Sequence, residues 1–243
     1  MKGRNIGIVY EDRWMLVINK PSGLLSVSTS RSHTGITRHG SGEAEVTAYS
    51  LASEYVGKRI FIVHRLDRDT SGLMILAKDE ETKRILQEGW SEHVLERSYV
   101  AMVKGCPDPM EGTVTSWLKE HPKSLKMSSC PYDNGGQKAV TRYSVVKPGK
   151  TWSVVRFSLE TGRKNQIRVH SALIGHPVAG DRRYWDFTGR YTVKDERSLM
   201  ERGEFSNPVG RLALHAETLV MKHPHTGKEY SFVSKAPSSF RAF

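Results

Sequence analysis

One short segment of the sequence concentrates side chains that could do chemistry. Residues 64–72 read His-Arg-Leu-Asp-Arg-Asp-Thr-Ser-Gly and include two carboxylates, two guanidinium groups and an imidazole. A carboxylate beside arginine in a partly desolvated pocket stays ionised at neutral pH, as a nucleophile or a general base requires. Asp67 is therefore a candidate catalytic residue. An Asp–Arg pair that only closes a turn explains the same pattern, and it is the commoner arrangement in proteins.

Two hydrolytic chemistries fit the segment less well. Ser71 lacks the G-x-S-x-G frame of a serine-hydrolase elbow. A glycosidase or nucleotide hydrolase could use Asp67 and Asp69 together. Carboxylates two residues apart in a tight loop do not readily face each other across the roughly 5 to 9 Å that glycosidases use.

Apolar stretches predict the elements that position this segment. Residues 60–63 and 73–77 are strand-like, so 64–72 is expected to form a loop between two buried strands. A hairpin is predicted over 6–10 and 15–18. Further strands are predicted at 98–103, 138–146, 153–159, 212–221 and 229–233, and helices at 43–55, from Asp79 to about 93, and at 162–175.

Strands outnumber helices and do not alternate regularly with them. This pattern predicts an α+β fold. We expect a single domain over residues 1–243, with no separate N-terminal module. Residues 26–42 and 185–210 are polar and are predicted to be mobile loops or insertions.

The composition favours a nucleic-acid partner. Lysine and arginine number 37 against 26 acidic residues, which gives a formal charge of +11 and an isoelectric point near 9.7. Arginines lie beside aromatic residues at 142–143, 152–156 and 182–185, and this combination suits phosphates and unstacked bases.

The same composition argues against other classes. No stretch approaches the ~20 apolar residues that cross a bilayer. The two cysteines, Cys106 and Cys130, have no metal-ligand spacing, which favours a reducing compartment. We therefore expect a cytoplasmic protein without a membrane partner.

Several ordered motifs resemble the RluA family of pseudouridine synthases. The resemblance covers nearly the whole chain apart from 26–43 and 185–210. It implies a mixed, mainly antiparallel sheet with flanking helices around a central basic cleft. It also implies that residues 1–243 are a catalytic domain without the N-terminal RNA-binding module that many members of the family carry. The motifs lie at 19–25, 64–73, 97–101, 161–170, 175–181, 211–216, 223–232 and 236–237.

The resemblance implies a role for individual residues. Asp67 would be the catalytic carboxylate, Arg168 would pair with it and keep it ionised, and Tyr99 would stack on the flipped uracil. Arg65 would enter the RNA helix where the target base left. Further RNA-binding residues would be His64, Arg163, Gln166, Leu214 and Lys20.

The resemblance implies neither a metal nor a cofactor, so His170, His215 and His223 are expected to be structural. Where the family usually carries histidine, this chain has Asn165. An asparagine keeps a side-chain donor and acceptor, so we expect activity to survive with altered positioning of the following helix.

The implied reaction breaks the N1–C1′ bond of uridine, turns the base and joins C5 to C1′. Asp67 could attack C1′, add to C6 or remove the 2′ hydrogen, and the sequence does not choose among these routes. The expected substrate is a stem-loop of ribosomal RNA or tRNA, bound by a monomer. The alternative is a catalytically silent RNA-binding or ribosome-assembly protein with the same fold.

Overall fold

The structure is a computed structural model that describes residues 5–28, 45–185 and 207–241. The bulk of both predicted loops, at 29–42 and 186–206, lies outside the described residues. The strands are β1 (Gly7–Glu11), β2 (Met15–Lys20), β3 (Phe61–Ile62), β4 (Ser71–Ala77), β5 (Val94–Lys104), β6 (Glu111–Glu120), β7 (Met127–Cys130), β8 (Gln137–Lys147), β9 (Trp152–Leu159), β10 (Leu214–Lys222) and β11 (Glu229–Val233). The α-helices are α1 (Ala48–Val56), α2 (Glu80–Glu88), α3 (Trp90–His93) and α4 (Gln166–Leu173), and a 3₁₀ turn covers Ser238–Arg241.

The chain divides into two compact units. The first comprises residues 1–97 and 216–235, and the second comprises residues 98–215 and 236–243. Two of the three boundaries, at 97/98 and 215/216, fall inside strands β5 and β10, and the third, at 235/236, follows β11.

The first unit has a sheet in the order β1-β2-β4-β10, with β3 beside β4 and β11 beside β10. The β1–β2, β2–β4, β3–β4 and β10–β11 pairs are antiparallel. Strand β4 is buried along its whole length, and its side chains Leu73 and Ile75 pack with Met15 and Val17 of β2. Burial on both faces explains why β4 reads as a continuous apolar run.

Strand β4 approaches its neighbour unusually closely at Gly72. This residue has φ +112°, and a Cβ built on it would lie 2.2 Å from the carbonyl oxygen of Ala216. Only glycine combines this backbone conformation with so short an approach.

The second unit has an antiparallel sheet in the order β5-β9-β8-β6-β7. Helix α4 packs against this sheet through Val169 and Ala172, which join a core with Leu118, Met127 and Ala139. The predicted fold class, α+β with a mainly antiparallel sheet, is confirmed.

Strands β6 and β7 were not predicted, and three predicted helices need correction. The helix predicted at 43–55 begins at Ala48, because the Thr47 side chain caps it there, and it ends at Val56. The helix that Asp79 caps through the Thr82 N–H stops at Glu88, and a separate short turn follows after Gly89. Helix α4 begins at Gln166 instead of 162, because Asn165 adopts a left-handed conformation with φ +55°. None of the helices in the described part of the chain is long and apolar enough to cross a membrane.

Candidate active site

Asp67 occupies the first position of a tight turn between β3 and β4. The Thr70 N–H donates to the Asp67 carbonyl at 3.2 Å, and Arg68 and Asp69 form the exposed centre of the turn. Aspartate is favoured at the first position of such turns. The side chain of Asp67 is half-buried, whereas Arg65 is exposed. The predicted loop between two strands is therefore present, with its carboxylate at the edge of the buried region.

A second segment, residues 20–26, holds the backbone of this turn on both sides of Asp67. Before Asp67, the buried Ser26 hydroxyl donates to the Leu66 carbonyl at 2.7 Å and accepts from the Leu66 N–H at 3.2 Å. After it, the Gly23 N–H donates to the Arg68 carbonyl at 2.9 Å, and the Ser22 hydroxyl donates to the Asp69 carbonyl at 2.7 Å. The peptide groups that flank Asp67 are thus fixed by hydrogen bonds.

Lys20 adds a buried charge to the same contact. Its side chain is fully buried, and its ammonium donates to the carbonyls of Leu24 at 2.7 Å, Pro21 at 3.0 Å and Arg68 at 3.0 Å. An ammonium group has three N–H donors, so these contacts satisfy a charge that would otherwise be costly to bury. Lys20 therefore links segment 20–26 to the turn of Asp67.

His64 connects the turn to β4. Its Nε2 lies 3.0 Å from the Ile75 N–H and accepts from it, and its ring packs against Trp90. Burial and the nearby Arg97 lower the pKa of His64 to about 3. The ring is consequently neutral at physiological pH and replaces a backbone acceptor beyond the end of β3.

In the second unit, Arg168 forms a bidentate ion pair with Asp181. The Nε and Nη2 atoms of Arg168 lie 2.7 Å and 2.8 Å from the two carboxylate oxygens. The Asp181 side chain is fully buried, and the Arg168 side chain is 12% exposed. Such parallel, charge-assisted contacts are among the stronger hydrogen bonds in proteins.

Tyr184 lies next to this pair. The guanidinium carbon of Arg168 is 5.1 Å from the centre of the Tyr184 ring. The Tyr184 hydroxyl donates to Asn165 Oδ1 and accepts from the Met127 N–H, each at 3.0 Å. Burial raises the pKa of Tyr184, so the hydroxyl keeps its proton. Asn165, which replaces the histidine usual in the family, therefore retains a specific partner.

Gln166 fixes the loop that precedes α4. Its Oε1 accepts from the Thr161 hydroxyl and the Arg163 N–H, and its Nε2 donates to Val140 and Thr141. The amide is buried, and these contacts use all four of its donor and acceptor positions. Arg163 is exposed, and its Nε donates to the Lys138 carbonyl.

Tyr99 and Leu214 are both buried strand residues. Tyr99 lies on β5 opposite Phe157 of β9, and Leu214 is the first residue of β10.

Asp67 belongs to the first unit, whereas Tyr99 and Arg168 belong to the second. The pairing of Asp67 with Arg168, the stacking of Tyr99 and the RNA contacts of Arg65, His64, Arg163, Gln166, Leu214 and Lys20 stay predictions.

Of the three histidines considered as metal ligands, two contact identified side-chain partners, and the third is buried. His170 contacts the hydroxyls of Ser116 and Thr141, and burial lowers its pKa to about 4. The Nε2 of His223 lies 2.8 Å from Asp12, and His215 is buried at the start of β10. Within the described residues, no three His, Cys, Asp or Glu side chains are grouped as metal ligands would be.

The sequence interpretation missed Asp181, Tyr184 and Ser26 as site residues. Asp181 closes a stretch that already carries the family resemblance, and that position was the available signal. Ser26 gave no comparable signal, and Tyr184 stood out only as one of the aromatic residues beside arginine at 182–185. The contacts of both join residues far apart in sequence.

The family model for RNA pseudouridylate synthase matches residues 14–173. The chain therefore belongs to this family of isomerases, and it is an RNA pseudouridine synthase.

Individual relatives agree with this assignment. The ribosomal large subunit pseudouridine synthase D of Zymomonas mobilis is 33% identical over 96% of this chain and 70% of its own length. The uncharacterized RNA pseudouridine synthase YjbO of Bacillus subtilis is 34% identical over 96% of this chain and 73% of its own. Among solved structures, human RNA pseudouridylate synthase domain containing 4 superposes with a TM-score of 0.68 at 27% identity, covering 97% of this chain and 90% of that one.

Proposed function

We propose that this chain converts uridine in structured RNA to pseudouridine with Asp67 as the catalytic carboxylate. The assignment of Asp67 rests on the hydrogen bonds that hold its turn in place. Hydrogen bonds from segment 20–26 hold the peptide groups on both sides of Asp67, while its side chain stays half-buried. Catalysis requires such fixed geometry, because a displacement of about 1 Å can cost about 10²-fold in rate.

The reaction needs few protein groups. The N1–C1′ bond breaks, the C5–C1′ bond forms, the hydrogen on C5 passes to solvent and N1 takes up a proton. An ionised Asp67 acts on the sugar or on the base along one of the three routes given above. Arg168 keeps that carboxylate ionised, and Tyr99 stacks on the extruded base.

Tritium release tests the assignment of Asp67. RNA labelled with tritium at C5 of uracil, taken from cells that lack this gene, is incubated with wild type, Asp67→Asn and Asp69→Asn. Wild type should release tritium, and Asp67→Asn should lower the rate by at least about 10³-fold, since it removes the reacting group.

Asp69→Asn is the matched control, because Asp69 lies two residues away with an exposed side chain. It should retain the rate within about threefold, as surface substitutions usually do. Undiminished release by Asp67→Asn would contradict the assignment. Absence of release by wild type would favour the catalytically silent alternative.

The proposed substrate is ribosomal RNA of the large subunit. This proposal rests on the name of the Zymomonas mobilis relative and on the formal charge of +11, which favours a polyanionic partner. We further propose that the enzyme acts as a cytoplasmic monomer. Mapping of pseudouridines in RNA from cells with and without the gene identifies the target. A position lost only from tRNA would refute the ribosomal assignment.

A further inference from the structure

The Arg168–Asp181 pair is held from more than one side. Oδ1 of Asp181 also accepts the backbone N–H groups of Arg183 at 2.9 Å and Tyr184 at 3.1 Å. The preceding residue, Gly180, has φ +74°, and a Cβ added there would lie 2.2 Å from the Arg211 carbonyl oxygen. The carboxylate of Asp181 is therefore fixed by its own turn and by the close packing beside it.

Tyr184 constrains the guanidinium from another direction. Its ring faces Arg168, and its hydroxyl is anchored by Asn165, immediately before α4, and by Met127 of β7. The ring is fully buried, so it cannot turn away without breaking both hydrogen bonds. Arg168 thus meets a fixed carboxylate along one edge and a fixed aromatic ring nearby.

These contacts determine how the guanidinium can act. A free arginine side chain has many rotamers, and its rigid planar fork loses little of this freedom for each hydrogen bond formed. Asp181 engages Nε and Nη2, which form one edge of the fork. A guanidinium held by one edge presents its other edge at a set angle. Arg168 should therefore be oriented before RNA binds.

We propose that Asp181 and Tyr184 are positioning residues of the isomerisation, which act by fixing the orientation of Arg168. The proposal rests on the proposed function, because it assigns Arg168 to the catalytic machinery. Asn165 contributes indirectly by anchoring Tyr184. The same contacts could serve only to stabilise the second unit, so the test separates the rate of chemistry from stability.

The experiment uses the full chain and the tritium-labelled RNA that wild type modifies. Single-turnover rates, RNA dissociation constants and melting temperatures are measured for Asp181→Asn, Arg168→Lys, the double variant and Tyr184→Phe. Asp181→Asn keeps the side-chain shape but removes the charge. Its rate should fall by about 10²-fold, with RNA affinity unchanged within about threefold, because misorientation slows chemistry rather than binding.

The double variant shows whether Asp181 acts through Arg168. If it does, Asp181→Asn should lower the rate of the Arg168→Lys protein by less than about threefold, since residues that act as one unit are not additive. Rate losses that multiply in the double variant would overturn the proposal. So would an Asp181→Asn protein whose rate lies within twofold of wild type.

Tyr184→Phe provides a second, milder test in case Asp181→Asn does not fold. It keeps the ring and removes the bonds to Asn165 and Met127. Its rate should fall by about tenfold at unchanged RNA affinity, again through misorientation. An unchanged rate in this variant would overturn the proposed role of Tyr184.

The matched control is Asp12→Asn in the first unit. Asp12 is a half-buried aspartate that, like Asp181, accepts several hydrogen bonds, from Tyr10, His223 and two backbone N–H groups. This variant should lower the melting temperature while leaving the rate within about twofold, as expected for a site remote from the chemistry. If it slows chemistry as Asp181→Asn does, loss of stability explains both effects and the proposal fails. An inactive wild type would instead refute the proposed function itself.

Discussion

The hydroxyl of Ser26 should contribute more to stability than its size suggests. Ser26→Ala removes one oxygen atom but leaves both the N–H and the carbonyl of the buried Leu66 without their partner. A buried polar group left unsatisfied costs about 1–3 kcal/mol. With two such groups and partial relaxation, we expect the free energy of unfolding to fall by about 3 kcal/mol.

Ser22→Ala is the matched control. Ser22 makes one solvent-exposed hydrogen bond to the Asp69 carbonyl, and water can replace it. We expect a loss of about 0.5–1 kcal/mol, near the net value of a typical hydrogen bond.

Urea denaturation of the two variants and wild type measures these differences. In thermal denaturation, about 3 kcal/mol corresponds to a decrease of roughly 6–12 °C for a chain of this size. The Ser26→Ala enzyme should also release tritium more slowly well below its melting temperature, because the peptide group before Asp67 is no longer fixed. Equal effects of the two substitutions, or a Ser26→Ala loss below about 0.5 kcal/mol, would refute this reasoning.

Three further predictions concern backbone contacts and buried charge. Gly72→Ala should prevent stable folding, because the added Cβ meets a backbone oxygen at 2.2 Å. In the control Gly57→Ala the Cβ has nothing within 4 Å, so the substitution should cost only about 1 kcal/mol for its positive φ. Similar soluble yields and melting temperatures for the two variants would contradict this. Asp79→Ala should lower the unfolding free energy by about 1 kcal/mol through loss of the α2 cap, and an unchanged urea midpoint would show that the cap contributes nothing. Burial lowers the pKa of His170 to about 4 from the ordinary 6.5, so as the pH falls the unfolded chain takes up this proton before the folded chain does. The free energy of unfolding should therefore decrease between pH 6.5 and pH 4, by up to about 1.4 kcal/mol per pH unit. An equally steep decrease in a His170→Gln protein would refute the attribution to His170.

The sequence predicted the strands that carry an apolar or alternating stretch of strand length. The β1–β2 hairpin, β4, β8 and β9 lie close to their expected positions for this reason. Strand β6 escaped prediction for a physical reason. Its buried residues are Val114, Ser116 and Leu118, and the polar Ser116 interrupts the apolar alternation. A serine can occupy this buried position because its hydroxyl hydrogen-bonds to His170.

Some residues of the candidate site could likewise be proposed from the sequence, and others could not. Asp67 could be proposed as a candidate because its charged neighbours lie beside it in sequence and because its segment is one of the motifs that carry the resemblance. The buried setting of Lys20 could not, because its carbonyl partner on Arg68 lies 48 positions away. A lysine in a basic protein suggests an RNA contact, and only the folded chain brings its ammonium to three carbonyl oxygens. The ion pair of Arg168 with Asp181 could not be predicted either, because it depends on how the backbone turns at residues 180–184.

The order in which the ribosome synthesises the first unit has a consequence for its assembly. Strand β4 and the turn of Asp67 emerge early, yet their neighbour β10 follows about 140 residues later, or roughly 7 to 30 s at ordinary elongation rates. Throughout that interval the edge of β4 that later pairs with β10 is covered only by the two-residue strand β3, and an apolar strand edge left largely open is a known hazard for aggregation. Translation of the second unit therefore precedes completion of the first, and premature termination before residue 216 should yield nascent chains that depend on chaperones.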